Sequence, residues 1–408
     1  MEGDFIKINK GLLPLSWCYG LAVKLRNLLF NMGVLKSRAF DVPVISVGNI
    51  TVGGTGKTPH VEYLVGLLQH LCHVAVLSRG YKRKSKGFVK ATADTPMSEI
   101  GDEPYQMKQK FPQVTIAVDA NRCHGIDLLM SERQKPDVIL LDDAYQHRYV
   151  KPGINILLVD YHRLIIYDEL LPAGRLREPL SGKDRADIVI VTKCPKELKP
   201  MDYRVITRAM NLYPFQQLYF TTLEYGDLRP VFKGGASASA SAAASVSAAA
   251  SAHVPCAATL SQLKDCHVLL LTGIASPQQL LHDLAPLTSN LTPLTFPDHH
   301  AFNEKDVSLI NDTFAALPSP RIVITTEKDA TRLQATEGLS DLLRANLFIL
   351  PINVCFMLEQ GETFNTYIIN YVHKNSRNSI LVKRKDDHKP KDSHRAGDRP
   401  RTISFRNY

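Results

Sequence analysis

An α/β fold, with a mostly parallel sheet and a second, smaller C-terminal α/β domain, is what this sequence predicts. Three observations predict it. Short, uninterrupted apolar runs recur at Val42–Val47, Val74–Leu77, Val114–Val118, Val138–Leu141, Ile154–Val159 and Ile188–Val191, as suits strands buried on both faces of a parallel sheet. Helical stretches lie between several of them, the alternation of a doubly wound layer. After a low-complexity break, globular character resumes at Leu260 with strands and helices of its own.

Taken in order, the first element is an aromatic-rich, cationic segment within residues 1–40. Leu21, Leu25, Leu28 and Leu29 fall at i, i+4, i+7 and i+8, the spacing of a helix with one apolar stripe. Such a helix could lie in a membrane interface or pack on its own domain, and the pattern alone leaves both open. Residues 41–208 carry the strands named above. Residues 209–235 form a β-rich linker, the strand-rich character beginning near Val205. Residues 236–252 are Ala and Ser except for Val246, a composition that reads as a flexible insertion. Residues 253–373 form the second domain, with strands at Val268–Leu271, Ile322–Thr325 and Leu347–Leu350. Its helices are expected at Pro277–Leu284 and Glu304–Phe314, the latter capped by Asn303. Residues 374–408 are a basic tail with little apolar content, expected to be disordered.

The chain has 408 residues, 49 Lys+Arg against 40 Asp+Glu, and a formal net charge of +9. Its apolar content of 44% excludes wholesale disorder. The charge is not spread evenly. The tail holds eleven basic and four acidic residues, a local +7, and the first forty hold six basic and two acidic, a local +4. The body between them is therefore −2, which argues against a nucleic-acid partner and makes a membrane surface the better match for both ends. No protein partner is predicted. Seven scattered cysteines without a C-x-x-C pair do not make a disulfide framework and suggest a reducing compartment. His253, Cys256, Cys266 and His267 match no standard zinc knuckle. The N-terminus shows no cleavable signal pattern, and no stretch of about 20 apolar residues predicts a membrane span.

The chemistry concentrates after the first strand. Val42–Val47 leads into Gly48-Asn49-Ile50-Thr51-Val52-Gly53-Gly54-Thr55-Gly56-Lys57-Thr58. Glycines let backbone N–H groups turn toward phosphate oxygens, the lysine reaches the β/γ-phosphates, and the threonine hydroxyl ligates Mg²⁺. The strict pattern fails at its first glycine, where Thr51 stands, but the strand and helix on either side are the context it needs. Thr51, Val52, Gly53, Gly54, Thr55, Gly56, Lys57 and Thr58 are thus the expected nucleotide contacts, which makes the sheet P-loop NTPase-like. A second carboxylate for the metal is expected at the end of a buried strand, and Val138–Leu141 runs into Asp142 and Asp143. On a strand these two point to opposite sides, so spacing does not choose between them. Pro195 stands where a guanine-reading Asp would follow Thr192-Lys193, which favours ATP over GTP.

These motifs together resemble one family, the tetraacyldisaccharide 4′-kinases of lipid A synthesis. The resemblance runs from about Leu12 to Leu358 outside the Ala/Ser insertion. It is carried by Val44–Pro59, Leu77–Tyr81 (LSRGY), Gly101–Pro104 (GDEP), Asp142–Arg148 (DDAYQHR), Leu171–Pro179 (LPAGRLREP), Phe296–Phe302 (FPDHHAF) and Thr326–Asp329 (TEKD). It implies a kinase that moves the γ-phosphate of ATP, with Mg²⁺, onto the 4′-hydroxyl of a lipid A disaccharide 1-phosphate precursor, giving the 1,4′-bisphosphate lipid IVA. It also implies a monotopic enzyme on the cytoplasmic face of the bacterial inner membrane, its active site between two domains. By that resemblance Asp102 is the catalytic carboxylate, His299 its paired histidine and Lys57 a third catalytic group. Spacing alone does not choose between His299 and His300; the motif match favours His299. Glu103 becomes a further metal partner beside Thr58, Asp142 and Asp143. Arg79, Tyr81, Arg122, His147, Arg177, Glu178 and Asp298 become substrate contacts. The rival reading is a membrane-associated phosphate-loop ATPase or GTPase switch without a sugar acceptor. A bland alternative for Asp102 is a helix cap.

Overall fold

The computed structural model describes residues 8–232, 260–274, 277–298 and 300–375. The Ala/Ser run and almost all of the basic tail lie outside the described residues, as does His299.

The first half of the chain supplies α1 (Leu13–Asn31), β1 (Val44–Gly48), α2 (Lys57–Leu68), β2 (Val74–Ser78), β3 (Val89–Lys90), α3 (Met97–Ile100), α4 (Asp102–Lys110), β4 (Thr115–Val118), α5 (Arg122–Ser131), β5 (Val138–Asp142), β6 (Ile154–Asp160) and β7 (Ile188–Thr192). All six predicted strands are present. α6 (Pro200–Met210) follows, and the linker supplies β8 (Gln217–Tyr225) and β9 (Arg229–Pro230). The second half supplies β10 (His267–Thr272), α7 (Gln278–Leu284), β11 (Leu291–Thr295), α8 (Glu304–Ala316), β12 (Arg321–Thr326), α9 (Glu327–Gln334), α10 (Asp341–Ala345), β13 (Leu347–Leu350), β14 (Ile352–Phe356) and α11 (Gly361–Asn375). At α8 the Asn303 side chain accepts from the N–H groups of Lys305 and Asp306, and Asp306 returns a bond to the Asn303 N–H. That reciprocal cap is why the helix starts where the sequence said it would.

The large sheet has nine strands in the order β14-β8-β7-β6-β1-β5-β2-β4-β3. From β8 to β4 every pairing is parallel; β14 and β3 are antiparallel edges. β1 lies between β5 and β6, so the chain winds outward in both directions from it. A crevice opens at such a switch point beyond the carboxyl ends of the strands, and the glycine-rich loop sits there. The central strands are buried along their whole length: every residue of β1, β2, β5 and β7 is buried. That accounts for their apolar runs showing no alternation.

The smaller sheet has five strands in the order β11-β10-β12-β13-β9, parallel except for β9. The two sheets are joined twice, side by side. β8 leaves the large sheet for β9, and β13 returns through Pro351 to β14, which pairs antiparallel with β8. The Gly226 N–H donates to the Pro351 carbonyl at 3.0 Å, tying the two crossings together. α11 then packs Phe364, Ile368 and Val372 into the core of the large domain.

Three expectations are corrected here. The stretch from Val205 to Met210 is the end of α6, which buries Ile206 and Met210, and is not strand. Residues 352–375 belong with the large domain, so 253–373 is not one unit; chain order does not reveal which sheet edge a returning strand joins. Among the cysteines, Cys18, Cys72, Cys123, Cys194 and Cys355 are free thiols, but Cys266 is disulfide-bonded.

Candidate active site

The glycine-rich loop is shaped by its own side chains before any ligand is considered. Gly53 (φ 119°) and Gly56 (φ 81°) take left-handed backbone that a side chain would strain. Asn49, fully buried, spans the loop and donates to the Thr55 hydroxyl at 2.9 Å. Gly56 is the N-cap of α2, so Lys57 and Thr58 open a twelve-residue helix with its positive end at the loop. Thr51 and Val52 are placed differently from the rest. Thr51 bridges Leu176, and the Val52 N–H is spent on the Arg175 carbonyl at 2.8 Å. Of the predicted contacts, Gly54, Thr55, Gly56, Lys57 and Thr58 line the cleft.

That cleft, of about 210 Å³, lies between the two sheets. Glu103 enters it from α4, Lys193 from the end of β7, and Asp298, Glu327 and Lys328 from the smaller domain. Both aspartates at the end of β5 face the loop. Strand alternation fails because Asp143 adopts φ 46°, leaving the strand and turning its carboxylate back. Asp143 sits 3.4 Å from Lys57 Nζ and 3.6 Å from Arg177 Nη1. Burial would raise its pKa, but Lys57 and Arg177 hold it below the usual carboxylate range. Asp142 is fully buried; its Oδ2 accepts from Ser78 Oγ at 2.9 Å and its Oδ1 has no hydrogen-bond partner. Burial first, then Glu103 and Asp143, push its pKa up against the pull of Lys57.

An orphaned carboxylate oxygen beside a lysine, a threonine and a second carboxylate fits a divalent cation with hard oxygen ligands. Among the described residues no group of three or more His, Cys, Asp or Glu side chains forms a cage. Hard oxygen donors of this kind suit Mg²⁺ better than Zn²⁺.

Asp102 is the first residue of α4, yet its side chain does not cap that helix. It reaches the smaller domain instead. Arg332 Nε donates to Asp102 Oδ2 at 3.0 Å and Nη2 donates to the same oxygen, while Nη1 donates to buried Asp329 at 3.0 Å. Asp329 is itself fixed by the Gly273 N–H and the Thr326 hydroxyl. Next to it, Lys110 bridges Glu62 of α2 and Glu327 of α9. Lys328 pairs with Asp298 at 2.9 Å. The TEKD motif is thus an interdomain fastening. Sequence reasoning used it as a family mark without a role, and it had no signal for Arg332.

The remaining predicted residues divide. Arg79 and Tyr81 are exposed. Arg122 is 2% exposed, with one Nη on the Asp119 carbonyl and the other on the Asp142 carbonyl, and burial lowers its pKa to about 10. It braces the backbone under Asp142 and does not reach the cleft. Glu178 is likewise buried and is bound by Arg185 at 2.8 Å and by Asn27 of α1 at 3.4 Å. Both are buried and bonded within the protein, while Arg122 Nε and Glu178 Oε1 have no hydrogen-bond partner. His147 is half-buried, and burial together with Arg122, Arg26 and Arg79 lowers its pKa to about 4. His300 stacks on Phe296 and bonds Asp306 at 2.8 Å, so it is engaged away from Asp102. The pairing of Asp102 with His299 lies outside the described residues.

What this cleft is built to hold is a polyphosphate, gripped between two domains rather than facing open water, and that is the arrangement of a phosphate-loop phosphotransferase. A family model described as Tetraacyldisaccharide-1-P 4'-kinase matches residues 8–373, and the chain belongs to that family. A tetraacyldisaccharide 4'-kinase of Phocaeicola vulgatus is 57% identical over 93% of this chain and 99% of its own length. One of Bacteroides thetaiotaomicron is 52% identical over 95% and 100%. Among solved structures, "apo" form LpxK from Aquifex aeolicus in complex with ATP is 31% identical over 89% of this chain and 98% of that one, with a TM-score of 0.65.

Proposed function

We propose that this protein transfers the γ-phosphate of ATP to the 4′-hydroxyl of a tetraacyldisaccharide 1-phosphate, giving the 1,4′-bisphosphate. The observation that carries the reading is the cleft itself. In a chain of this family, the phosphate loop opens onto one space with Glu103 and Asp298, Asp143 stands 3.4 Å from Lys57 of that loop, and Asp102 adjoins Glu103. A nucleotide switch would need only the first half of that set, and nothing favours it.

Phosphoryl transfer asks for positioning and charge stabilisation more than for covalent chemistry. Lys57 and the amides of Gly54 to Thr58 hold the β- and γ-phosphates. Thr58, Asp142 and Asp143, with Glu103 beside them, would hold Mg²⁺, which when bound neutralises charge on the phosphate oxygens. Asp102 accepts the proton of the attacking 4′-hydroxyl, with His299 as its partner, and Arg332 orients the carboxylate. Arg79, Tyr81, Arg177 and Asp298 surround the approach of the acceptor and its phosphate.

The acceptor's acyl chains require the enzyme at a lipid surface, and α1 suits that task. Its small and polar face is docked: Ser16 donates to the Leu170 carbonyl at 2.9 Å, Tyr19 to the Arg177 carbonyl at 2.8 Å, and Arg26 to the Gln146 carbonyl at 3.0 Å. Its apolar face points outward, with Trp17 and Leu21 each 71% exposed and Leu25 57%. No described helix is long and apolar enough to cross a membrane. The outward apolar face of α1 supports an interfacial, monotopic placement, which we place on the cytoplasmic face of the inner membrane as part of this proposal. The decisive experiment is transfer of labelled phosphate from ATP to a tetraacyldisaccharide 1-phosphate with and without its 4′-hydroxyl. Label on the first acceptor alone supports the reading; nucleotide hydrolysis at the same rate without any acceptor refutes it.

A further inference from the structure

Three successive carbonyls of the phosphate loop are each taken by a side chain from outside it. Lys193 Nζ donates to the Gly54 carbonyl, Thr192 Oγ1 to the Thr55 carbonyl at 3.0 Å, and His60 Nδ1 to the Gly56 carbonyl at 2.8 Å. The donors come from two places. Thr192 ends β7, Lys193 follows it, and His60 lies in the first turn of α2.

A trans peptide unit is planar, and its C=O and N–H point in opposite directions. Fixing the carbonyls of Gly54, Thr55 and Gly56 therefore fixes the N–H groups of Thr55, Gly56 and Lys57 on the other side. We infer that His60, Thr192 and Lys193 act as a carbonyl clamp, positioning residues that aim three consecutive amides at the nucleotide phosphates before the nucleotide arrives. Without the clamp each peptide plane could rotate, and binding would have to order it.

Each donor is itself held. Lys193 also pairs with Asp160 at 2.8 Å, and Asp160 is tied to the His162 N–H at 2.9 Å. Lys193 adopts φ 58°, a left-handed conformation uncommon for a lysine and sustained only when its surroundings demand it. Thr192 is fully buried. His60 is 3% exposed, and its Nε2 faces Thr221 Oγ1 of β8 at 3.1 Å. A carbonyl only accepts, so the proton sits on Nδ1 and Nε2 takes the Thr221 hydroxyl. Thr221 lies on the strand that leads into the smaller domain, so the clamp is anchored in the interdomain hinge as well as in the large sheet.

The inference rests on the loop being the phosphate site, and the experiment separates the two. ATP affinity is measured on the whole chain by titration, with steady-state kinetics alongside. The variants are His60→Ala, Thr192→Val and Lys193→Met, with His60→Asn and Thr192→Ser as variants that keep a donor, and Lys57→Ala as control. Each of the first three should weaken ATP about tenfold, which is about 1.4 kcal/mol. The KM for ATP should rise with it while the KM for the lipid acceptor stays unchanged. His60→Asn, whose amide nitrogen falls near the Nδ1 position, and Thr192→Ser should recover most of the loss. Unchanged ATP affinity in the first three overturns the clamp. So does a His60→Asn protein that folds but binds as poorly as His60→Ala. Should the alanine variant fail to fold, the conservative pair and Lys193→Met decide. Wild-type ATP affinity in Lys57→Ala would instead overturn the loop assignment.

Discussion

At the residue scale, Asp102 shows how a side chain proposed as the base can be set by a distant part of the chain. Its position at the start of α4 could as easily have made it a cap, but the side chain is taken by Arg332, 230 residues away. A guanidinium that donates twice to one carboxylate oxygen fixes the orientation of the whole carboxylate. Asp102→Asn keeps an acceptor for Arg332 but removes the proton-accepting charge. It should lower phosphate transfer by about 10²-fold or more while ATP still binds, checked by single-turnover transfer beside ATP titration. Near-normal transfer would remove Asp102 from the role of base. The aspartates after β5 teach a related lesson. Strand alternation predicts opposite directions for Asp142 and Asp143, and the left-handed backbone at Asp143 returns its carboxylate toward Lys57.

At the scale of the element, α1 has two stripes and the sequence showed only one of them clearly. Ser16, Gly20 and Phe30 are buried, with Val23 and Asn27 partly so between them. A Cβ on Gly20 would come within 2.6 Å of Leu170, so a small residue is what lets the helix lie close. With polar and small residues doing the docking, the leucines are free to face outward, the reverse of an ordinary surface helix. Replacing Trp17, Leu21 and Leu25 together with Ser should shift the protein from membrane to soluble fractions and leave its melting temperature nearly unchanged. Loss of folding stability instead would mean that these residues pack against the protein.

At the scale of the whole molecule, the two domains are held by a double strand crossing and by charges at the cleft. Lys110 stands between Glu62 and Glu327, and burial raises the pKa of Glu62 despite Lys110. Lys110→Met leaves two carboxylates facing each other across the interface. It should cost about 1–3 kcal/mol in chemical denaturation and loosen the smaller domain to limited proteolysis. Global stability should also depend on acid through buried imidazoles. Burial lowers His60 to about 4, and Lys193 adds to the effect; burial and the arginines around it lower His147 to about 4. Both folded values lie below the ordinary 6.5, so the unfolded chain takes up protons first as the pH falls. Stability from the neutral imidazoles is complete above about pH 6.5 and declines toward pH 4, by up to about 3 kcal/mol for His60 and by less for the half-buried His147, which solvent screens. Melting temperatures across that window should fall less in His60→Asn than in the parent.

What the amino-acid sequence determined by itself was local. Apolar runs of strand length, the glycine-rich turn between a strand and a helix, the Asn303 cap and the apolar spacing of α1 are properties of neighbouring residues, and each is present as predicted. The phosphate loop was legible for the same reason, since its chemistry lies in consecutive residues. Tertiary structure alone decided which sheet β14 and α11 join, which stripe of α1 faces inward, and that Arg122 and Glu178 are buried braces. It also decided that Arg332, Thr192 and Lys193 act on groups to which no sequence spacing connects them. Contacts between residues hundreds of positions apart depend on where the sheets bring strand ends together, and no periodicity along the chain records that.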